Sequence, residues 1–256
     1  MDLFYKSTNI VAATSERSDG PMGSTTNQGP GGEYGRNRLR FLERHGIRAN
    51  QVVMAGLAHG INIATIFSAP PGGSMPNTDG LVSMGLAVAI TTADCFPVFF
   101  ADTSDPNAGI IGLAHAGWRG ILGGIIGAMI EKLEARCANR HNCLFSAIGP
   151  GIRSCCFTVR DDENGVSRYR DLGYDRFTTA AGKDSGGNEL FRVDLAGILC
   201  CQFSKLGMPP SRVKDSQECT CCNERFISWR RDHLPAHNML SVIQLRGQEP
   251  YEKFIL

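Results

Sequence analysis

Residues 86–120 read LAVAITTADCFPVFFADTSDPNAGIIGLAHAGWRG, and three apolar runs within them set the architecture. Leu86 to Thr92 and Pro97 to Ala101 are nearly unbroken apolar stretches, the pattern of strands covered on both faces. Asp102 to Gly109 is rich in Asp, Ser, Pro, Asn and Gly and reads as a turn. Ile110 to Ala114 is a third buried strand, and helix follows strand at Gly117. Beyond it, Leu122, Ile125, Ile126, Met129, Ile130 and Leu133 recur at helical spacing, predicting one helix over Ile121 to Arg136. Gly120, Gly123, Gly124 and Gly127 recur at the same spacing on the opposite side. An exposed helical glycine costs roughly 1 kcal/mol relative to alanine, so the stripe predicts close approach of another backbone or a ligand.

Working outward, Thr14 to Gly35 is dense in Gly, Ser, Thr and Asn and reads as a long loop. Asn37 to His45 reads as a helix stopped by Gly46. Gln51 to Ala55 and Gly60 to Phe67 read as strands with His59 between them, and Pro70 to Gly73 as a loop. Downstream, Phe191 to Cys201 reads as a helix, and Phe226 to Trp229 and Leu240 to Leu245 as strands. Glu163 to Gly187 is polar and carries no clear pattern. No tandem repeat, low-complexity tract or boundary interrupts the chain, so residues 1–256 read as one domain.

Lys and Arg number 26 against 25 Asp and Glu. A nucleic-acid binder carries a basic excess or stripe, so polynucleotides are set aside, while one or two arginines still suffice for a small anion. The start, Met1 to Lys6, has no basic segment followed by an apolar run, and Leu81 to Ile90 is too short to span a bilayer. These features point to the cytoplasm and to no membrane partner.

Of ten cysteines, six form the vicinal pairs Cys155-Cys156, Cys200-Cys201 and Cys221-Cys222. Adjacent cysteines rarely bridge each other, so the expectation is reduced thiols used as small buried apolar residues. Cys219-Thr220-Cys221-Cys222 hints at a second metal site but has no matching C-x-x-C elsewhere, which favours the plain reading.

The chemistry concentrates in two segments. Thr91-Thr92-Ala93-Asp94-Cys95-Phe96-Pro97 is a strand end with an acid beside a thiol. His115-Ala116-Gly117-Trp118-Arg119-Gly120 is a strand-to-helix turn, where free N–H groups and Arg119 offer a place for an anion. From the residues alone two chemistries fit Cys95 and His115: a nucleophile with its base, or two metal ligands. With His59 as a third donor, two imidazoles and one thiolate suit catalytic zinc with an open position. A structural role for each residue taken singly fits as well.

The motifs T-A-D-C-F-P and H-A-G-W-R-G resemble the laccase-domain family, long described as copper polyphenol oxidases and now as purine nucleoside phosphorylases with adenosine deaminase and methylthioadenosine phosphorylase activity. Ala58-His59-Gly60, Thr78-Asp79-Gly80, Ile148 to Ile152, Glu218-Cys219-Thr220 and Phe226 to Asp232 extend the resemblance along nearly the whole chain. It implies an α+β fold of mixed sheets packed together with helices outside, shared with certain cysteine-dependent toxin deamidases. It also implies zinc, rather than copper, on His59, Cys95 and His115. Leu57 stands where the family usually has Gln, Ala236-His237-Asn238 where it commonly has Gly-Arg, and Ser18-Asp19-Gly20 where it has a Gly-Gly segment.

The implied activity is phosphorolysis of adenosine, inosine and methylthioadenosine, with adenosine deamination beside it. Zinc lowers the pKa of a water towards ~7, which suits attack on C6 of adenine. Arg119 is the expected phosphate group, Arg230 and Arg231 candidates for phosphate or ribose, and Asp94 an orienting group or proton carrier. Three rivals stand beside this reading: a metal-free hydrolase with Cys95 as nucleophile, a copper oxidase, and a binding protein without turnover. A copper oxidase needs more histidine ligands than six well-scattered His supply.

Overall fold

The computed structural model describes residues 9–23, 32–102, 109–135, 144–162 and 165–246. The first strands are β1 (Ile10–Thr14), β2 (Val52–Gly56), β3 (Ile63–Ile66), β4 (Ser74–Pro76), β5 (Gly80–Ser83), β6 (Ala87–Thr92) and β7 (Phe96–Asp102). They continue as β8 (Ile110–Ala116), β9 (Leu144–Ile148), β10 (Thr158–Arg160), β11 (Thr178–Lys183), β12 (Glu189–Val193), β13 (Val213–Asp215) and β14 (Met239–Leu245). The helices are α1 (Glu33–Arg44), α2 (Trp118–Gly123), α3 (Ile125–Glu134), α4 (Ser167–Asp171), α5 (Leu195–Lys205) and α6 (Trp229–Asp232). No described helix is long and apolar enough to cross a membrane.

The strands form a five-stranded sheet ordered β1-β14-β6-β2-β4, a six-stranded sheet ordered β13-β9-β7-β8-β5-β3, and a three-stranded sheet ordered β10-β12-β11. The five-stranded sheet is mixed: β6 pairs antiparallel with β14 and parallel with β2. The two large sheets pack face to face. Val88 and Ile90 of β6 meet Phe99 and Ala101 of β7 and Ile111 and Leu113 of β8 in one buried cluster. Alternation sends the neighbouring residues the other way. Ala87 and Ala89 face Phe41 and Leu42 of α1, while Val98 and Phe100 face α3 and α5 through Met129, Ile130, Leu199 and Phe203. Both central sheets are therefore covered on two faces, which explains the unbroken apolar runs. Each fully buried Phe of β7 contributes roughly 1.5–3 kcal/mol by burial. The fold is α+β with mixed sheets packed together and helices outside, as the resemblance implies.

Several elements differ from the sequence reading. Phe191 to Val193 are not helical. They lie in β12, the middle strand of the small sheet, and the helix starts only after Asp194, whose carboxylate caps Gly197 N–H at 2.9 Å. Phe226 to Trp229 is not a strand. Phe226 and Ile227 are buried in a small cluster, and Ser228 caps α6 by accepting Arg231 N–H at 3.2 Å.

The helix predicted over Ile121 to Arg136 is two helices, because Gly124 adopts φ +83° and ends α2 before α3 begins. Arg136, residues 103–108 of the Asp102-to-Gly109 turn, residues 24–31 of the N-terminal loop, and residues 163–164 lie outside the described residues. The Thr14-to-Gly35 stretch includes a short 3-10 turn at Arg17–Asp19, and α1 begins four residues before Asn37. Strands β1, β4, β5, β9, β10, β11 and β13 had no counterpart in the sequence reading.

Candidate active site

Among the connections that carry the chain from one large sheet to the other, two hold one each of the sequence-derived ligands. His59 lies between β2 and β3, and Cys95 lies between β6 and β7. His115 sits near the end of β8, opposite Pro97 of β7. All three line one cavity of about 840 Å³, together with Trp118, Arg119, Trp229 and Asn238. The rings of His59 and His115 stand edge to face, with centroids 4.9 Å apart. His59 is exposed at the mouth, and His115 is buried.

The backbone is bent to place these groups. His59 has φ +62° and Asp94 φ +83°, both unusual for residues with a side chain. Asp79 holds the first bend. Its fully buried carboxylate accepts Ala58 N–H at 3.0 Å and Gly60 N–H at 2.9 Å, and its carbonyl accepts His115 N–H at 2.8 Å. One residue thus fixes the position of two histidines. Asp94 holds the second bend. One oxygen accepts the Thr220 hydroxyl at 2.7 Å, the other accepts Arg230 N–H at 2.7 Å, and the Asp94 carbonyl accepts Ile152 N–H at 2.8 Å.

Electrostatics follow from burial. Burial, with His59 alongside, lowers the His115 pKa to about 4 against a weaker pull from Asp79, so its imidazole is neutral, the form that binds a metal. Burial next to Asp94 pushes the Cys95 thiol up to about 12, with Arg119 opposing. Without an ion Cys95 is a thiol at neutral pH, which makes it a poor nucleophile.

Two observations fit a metal at this place. His115 Nδ1 is buried with no hydrogen-bond partner. Gly117 leaves the space over the donors open: a Cβ there would lie 2.9 Å from Cys95 Sγ and 3.5 Å from His115 Cε1. An N, N, S donor set suits zinc. Among the described residues one group of metal-capable side chains closes to within 4.8 Å, and it is not this trio; it is Cys155, Cys156, Cys219 and Cys222. That cluster overturns the expectation of thiols spent as buried apolar residues, since Cys155, Cys200 and Cys222 are exposed. Its missing partner for the C-x-x-C is a vicinal pair.

The remaining sequence-derived residues divide between two cavities. Arg119 is exposed on α2, its guanidinium 4.6 Å from the Trp118 ring centroid, and lines the large cavity. Arg230 lines a smaller adjoining cavity of about 220 Å³ with Asp94, Cys95, Phe157, Trp118 and Trp229. Its guanidinium donates to Cys156 O at 3.1 Å and Thr158 Oγ1 at 3.3 Å. Arg231 points elsewhere. It pairs with Asp232 and donates to the carbonyls of Thr220, Cys221 and Phe226, which makes it a brace between two loops. Of the positions that depart from the family pattern, Leu57, Ala236 and Asn238 line the large cavity, whereas His237 and Ser18-Asp19-Gly20 do not.

Sequence reasoning missed three residues here. Asp79 appeared only as part of a motif. Trp118 and Trp229 are the only tryptophans in the chain, and each is followed by arginine, a signal that pointed to them. Of the glycine stripe, Gly120 and Gly123 meet the His59 loop: a Cβ would lie 2.8 Å from Gly60 O and 2.9 Å from Ile61 Cγ2 respectively. Gly124 and Gly127 face nothing within 4 Å, so close approach holds for half the stripe.

The sequence pattern of the family described as multi-copper polyphenol oxidoreductase laccase matches residues 30–246. The chain is 33% identical over 222 residues to a Geobacillus stearothermophilus protein named purine nucleoside phosphorylase YlmD, covering 83% of this chain and 78% of that one. It is 28% identical over 204 residues to a protein named adenosine deaminase from an unknown prokaryotic organism, covering 76% and 75%. The crystal structure of YlmD from Geobacillus stearothermophilus superposes with TM-score 0.77 at 29% identity over 93% of both chains. That of the Bacillus licheniformis hypothetical protein YfiH superposes with TM-score 0.79 at 25% identity, over 95% and 96%.

Proposed function

Because this chain belongs to the multi-copper polyphenol oxidoreductase laccase family, we propose that it is a zinc-dependent enzyme of purine nucleosides. It cleaves adenosine, inosine and methylthioadenosine with phosphate and deaminates adenosine more slowly. The observation that carries the reading is the delivery of His59, Cys95 and His115 by three separate chain segments into one cavity walled by two tryptophans. The names of its relatives supply the substrate class.

Phosphorolysis forms a bond between a phosphate oxygen and ribose C1′ and breaks the bond from C1′ to the purine nitrogen, whose electron pair leaves with the base. Deamination exchanges the amino group at C6 for oxygen from water and releases ammonia. In this reading Trp118 and Trp229 offer aromatic faces to the two-ring base. Arg119, resting on Trp118, binds phosphate with its forked donors. α2 is only six residues long, so the side chain rather than the helix end is the anion group. Arg230 is the second candidate for phosphate or ribose, reached through the smaller cavity. Asp94 acts by position, holding the bend that presents Cys95. When bound by His59, Cys95 and His115, zinc supplies a Lewis acid that brings the pKa of a water towards ~7.

Among the described residues, the copper-oxidase reading finds no further histidine lining the cavity. His45 Nδ1 bonds Phe41 O, and His233 stands against the Trp229 ring.

The test is zinc analysis of the purified chain with nucleoside turnover measured with and without phosphate. The expected result is zinc-dependent turnover in which Arg119→Met loses phosphorolysis far more than deamination. Zinc-loaded protein that turns over no purine nucleoside overturns the substrate class. Equal loss of both activities in Arg119→Met, with zinc and fold intact, removes Arg119 from phosphate binding.

A further inference from the structure

Outside the cavity, two turns far apart in sequence dock side by side. Gly151 and Cys219 form an isolated parallel bridge, with Gly151 N–H donating to Glu218 O at 3.3 Å and Thr220 N–H to Gly151 O at 3.1 Å. This docking brings the vicinal pair Cys155-Cys156 against the C-x-x-C pair Cys219 and Cys222. All four Sγ atoms lie within 4.8 Å of one another, with Cys155 and Cys156 at 3.3 and 3.2 Å from Cys222. Cys219 is buried, Cys156 half-buried, and Cys155 and Cys222 exposed.

We propose that Cys155, Cys156, Cys219 and Cys222 hold a structural zinc ion in a closed four-thiolate site, separate from the His59–Cys95–His115 cavity. Tetrahedral zinc with Zn–S of about 2.3 Å places its sulfurs about 3.8 Å apart, which lies inside the spread seen here. A disulfide needs about 2.05 Å, well short of either close pair. A donor set of four sulfurs with no oxygen or nitrogen selects a soft or borderline ion. Cys219 Sγ also accepts Arg153 N–H at 3.5 Å, a backbone donor of the kind that orients a thiolate ligand. Four thiols packed together, two of them open to solvent, have no apolar packing role to explain them.

The ion has a mechanical task. Thr220, between two of its ligands, donates to Asp94, and Cys156, itself a ligand, accepts from Arg230 through its carbonyl. The site therefore ties together the two loops that back Cys95 and the small cavity. It supplies no open position and takes no part in the reaction.

The inference stands apart from the proposed function and is tested separately. Zinc per chain is measured in the wild type, in Cys155→Ser/Cys222→Ser and in His59→Ala/His115→Ala. Two equivalents are expected in the wild type, and each double variant loses one. The zinc-edge X-ray absorption of His59→Ala/His115→Ala should then show sulfur alone at about 2.3 Å. If that variant fails to fold, the wild-type spectrum decides: a sulfur-dominated shell is expected, and a nitrogen- and oxygen-dominated shell overturns the proposal. It is equally overturned by unchanged zinc content in the cysteine variant, by copper in place of zinc, or by an intact mass lower by two hydrogens that marks a disulfide among the four.

Discussion

Replacing Gly120 and Gly127 with alanine, one at a time, should move stability in opposite directions. Both lie inside helices with helical backbone angles, so alanine gains roughly 1 kcal/mol of helix propensity at each. At Gly127 a Cβ meets nothing within 4 Å, and the gain is kept. At Gly120 a Cβ would stand 2.8 Å from Gly60 O, where ordinary contact begins at 3.4 Å. The obstacle is a backbone carbonyl in the loop that Asp79 pins, so it cannot rotate aside. Overpacking of this kind costs roughly 1–3 kcal/mol, and the difference between the two variants isolates it.

At a chain length of 256 residues this separates their melting temperatures by roughly 3–9 °C, measured by calorimetry on protein prepared alike. Because the displaced carbonyl belongs to the residue after His59, Gly120→Ala should also bind zinc more weakly, whereas Gly127→Ala should not. If Gly120→Ala melts as high as Gly127→Ala and keeps its zinc, the packing of α2 against the His59 loop is not a close one and the argument fails. A bulky residue at Gly124 is a poor test of the same idea, since φ +83° strains any side chain there regardless of space.

The remaining predictions concern the buried polar groups. His115 has a pKa lowered from 6.5 to about 4, so between those values the unfolded chain binds a proton that the folded one refuses. Metal-free protein should lose up to ~3 kcal/mol as pH falls through that window and none above it, and urea melts against His115→Gln isolate the effect from the carboxylates; parallel stability curves for the two proteins would falsify it. Asp79→Asn keeps the size of the side chain but leaves one of two part-buried N–H groups facing an amide NH2, costing ~1–3 kcal/mol and loosening His59, read as lower stability with weaker zinc binding. Unchanged zinc affinity there means that Asp79 does not position the ligand. Arg231→Lys replaces a fork that reaches three carbonyls and Asp232 with a single ammonium. It should cost ~1–3 kcal/mol in a denaturant melt while leaving the substrate KM unchanged, and a raised KM with full stability would place Arg231 at the substrate instead.

The central strands were legible because both of their faces are buried, so β6, β7 and β8 announce themselves as apolar runs without alternation. His59, Cys95 and His115 stood out because a thiol and two imidazoles flank such runs, although only the structure shows that they share a cavity. What escaped was set by contacts the local pattern does not carry. The partner strands of β12, three-residue β10 and polar, exposed β11, gave Phe191 no visible reason to be extended, yet Asp194 as a capping residue marks where the helix begins. Gly124 looked like one more member of a stripe, and only its left-handed backbone reveals that it divides the helix. The cysteine cluster depends on Gly151 meeting Cys219, 68 positions along the chain, a pairing that spacing arguments within either segment cannot reach.

The bends at His59 and Asp94 both occur where the chain leaves one large sheet for the other. The cavity between them therefore does not exist in a chain whose sheets have formed but not yet docked. No short stretch of sequence holds two of the three donors, so an unfolded chain has no local chelate there for an ion to grip. The cysteines are arranged oppositely, as two ready-made local pairs, each able to take half of an ion's coordination before its partner arrives. During refolding in zinc, the thiolate pairs should capture metal early and help draw residues 151–158 onto residues 218–223. The histidine site should fill only in the last step, when the two sheets close.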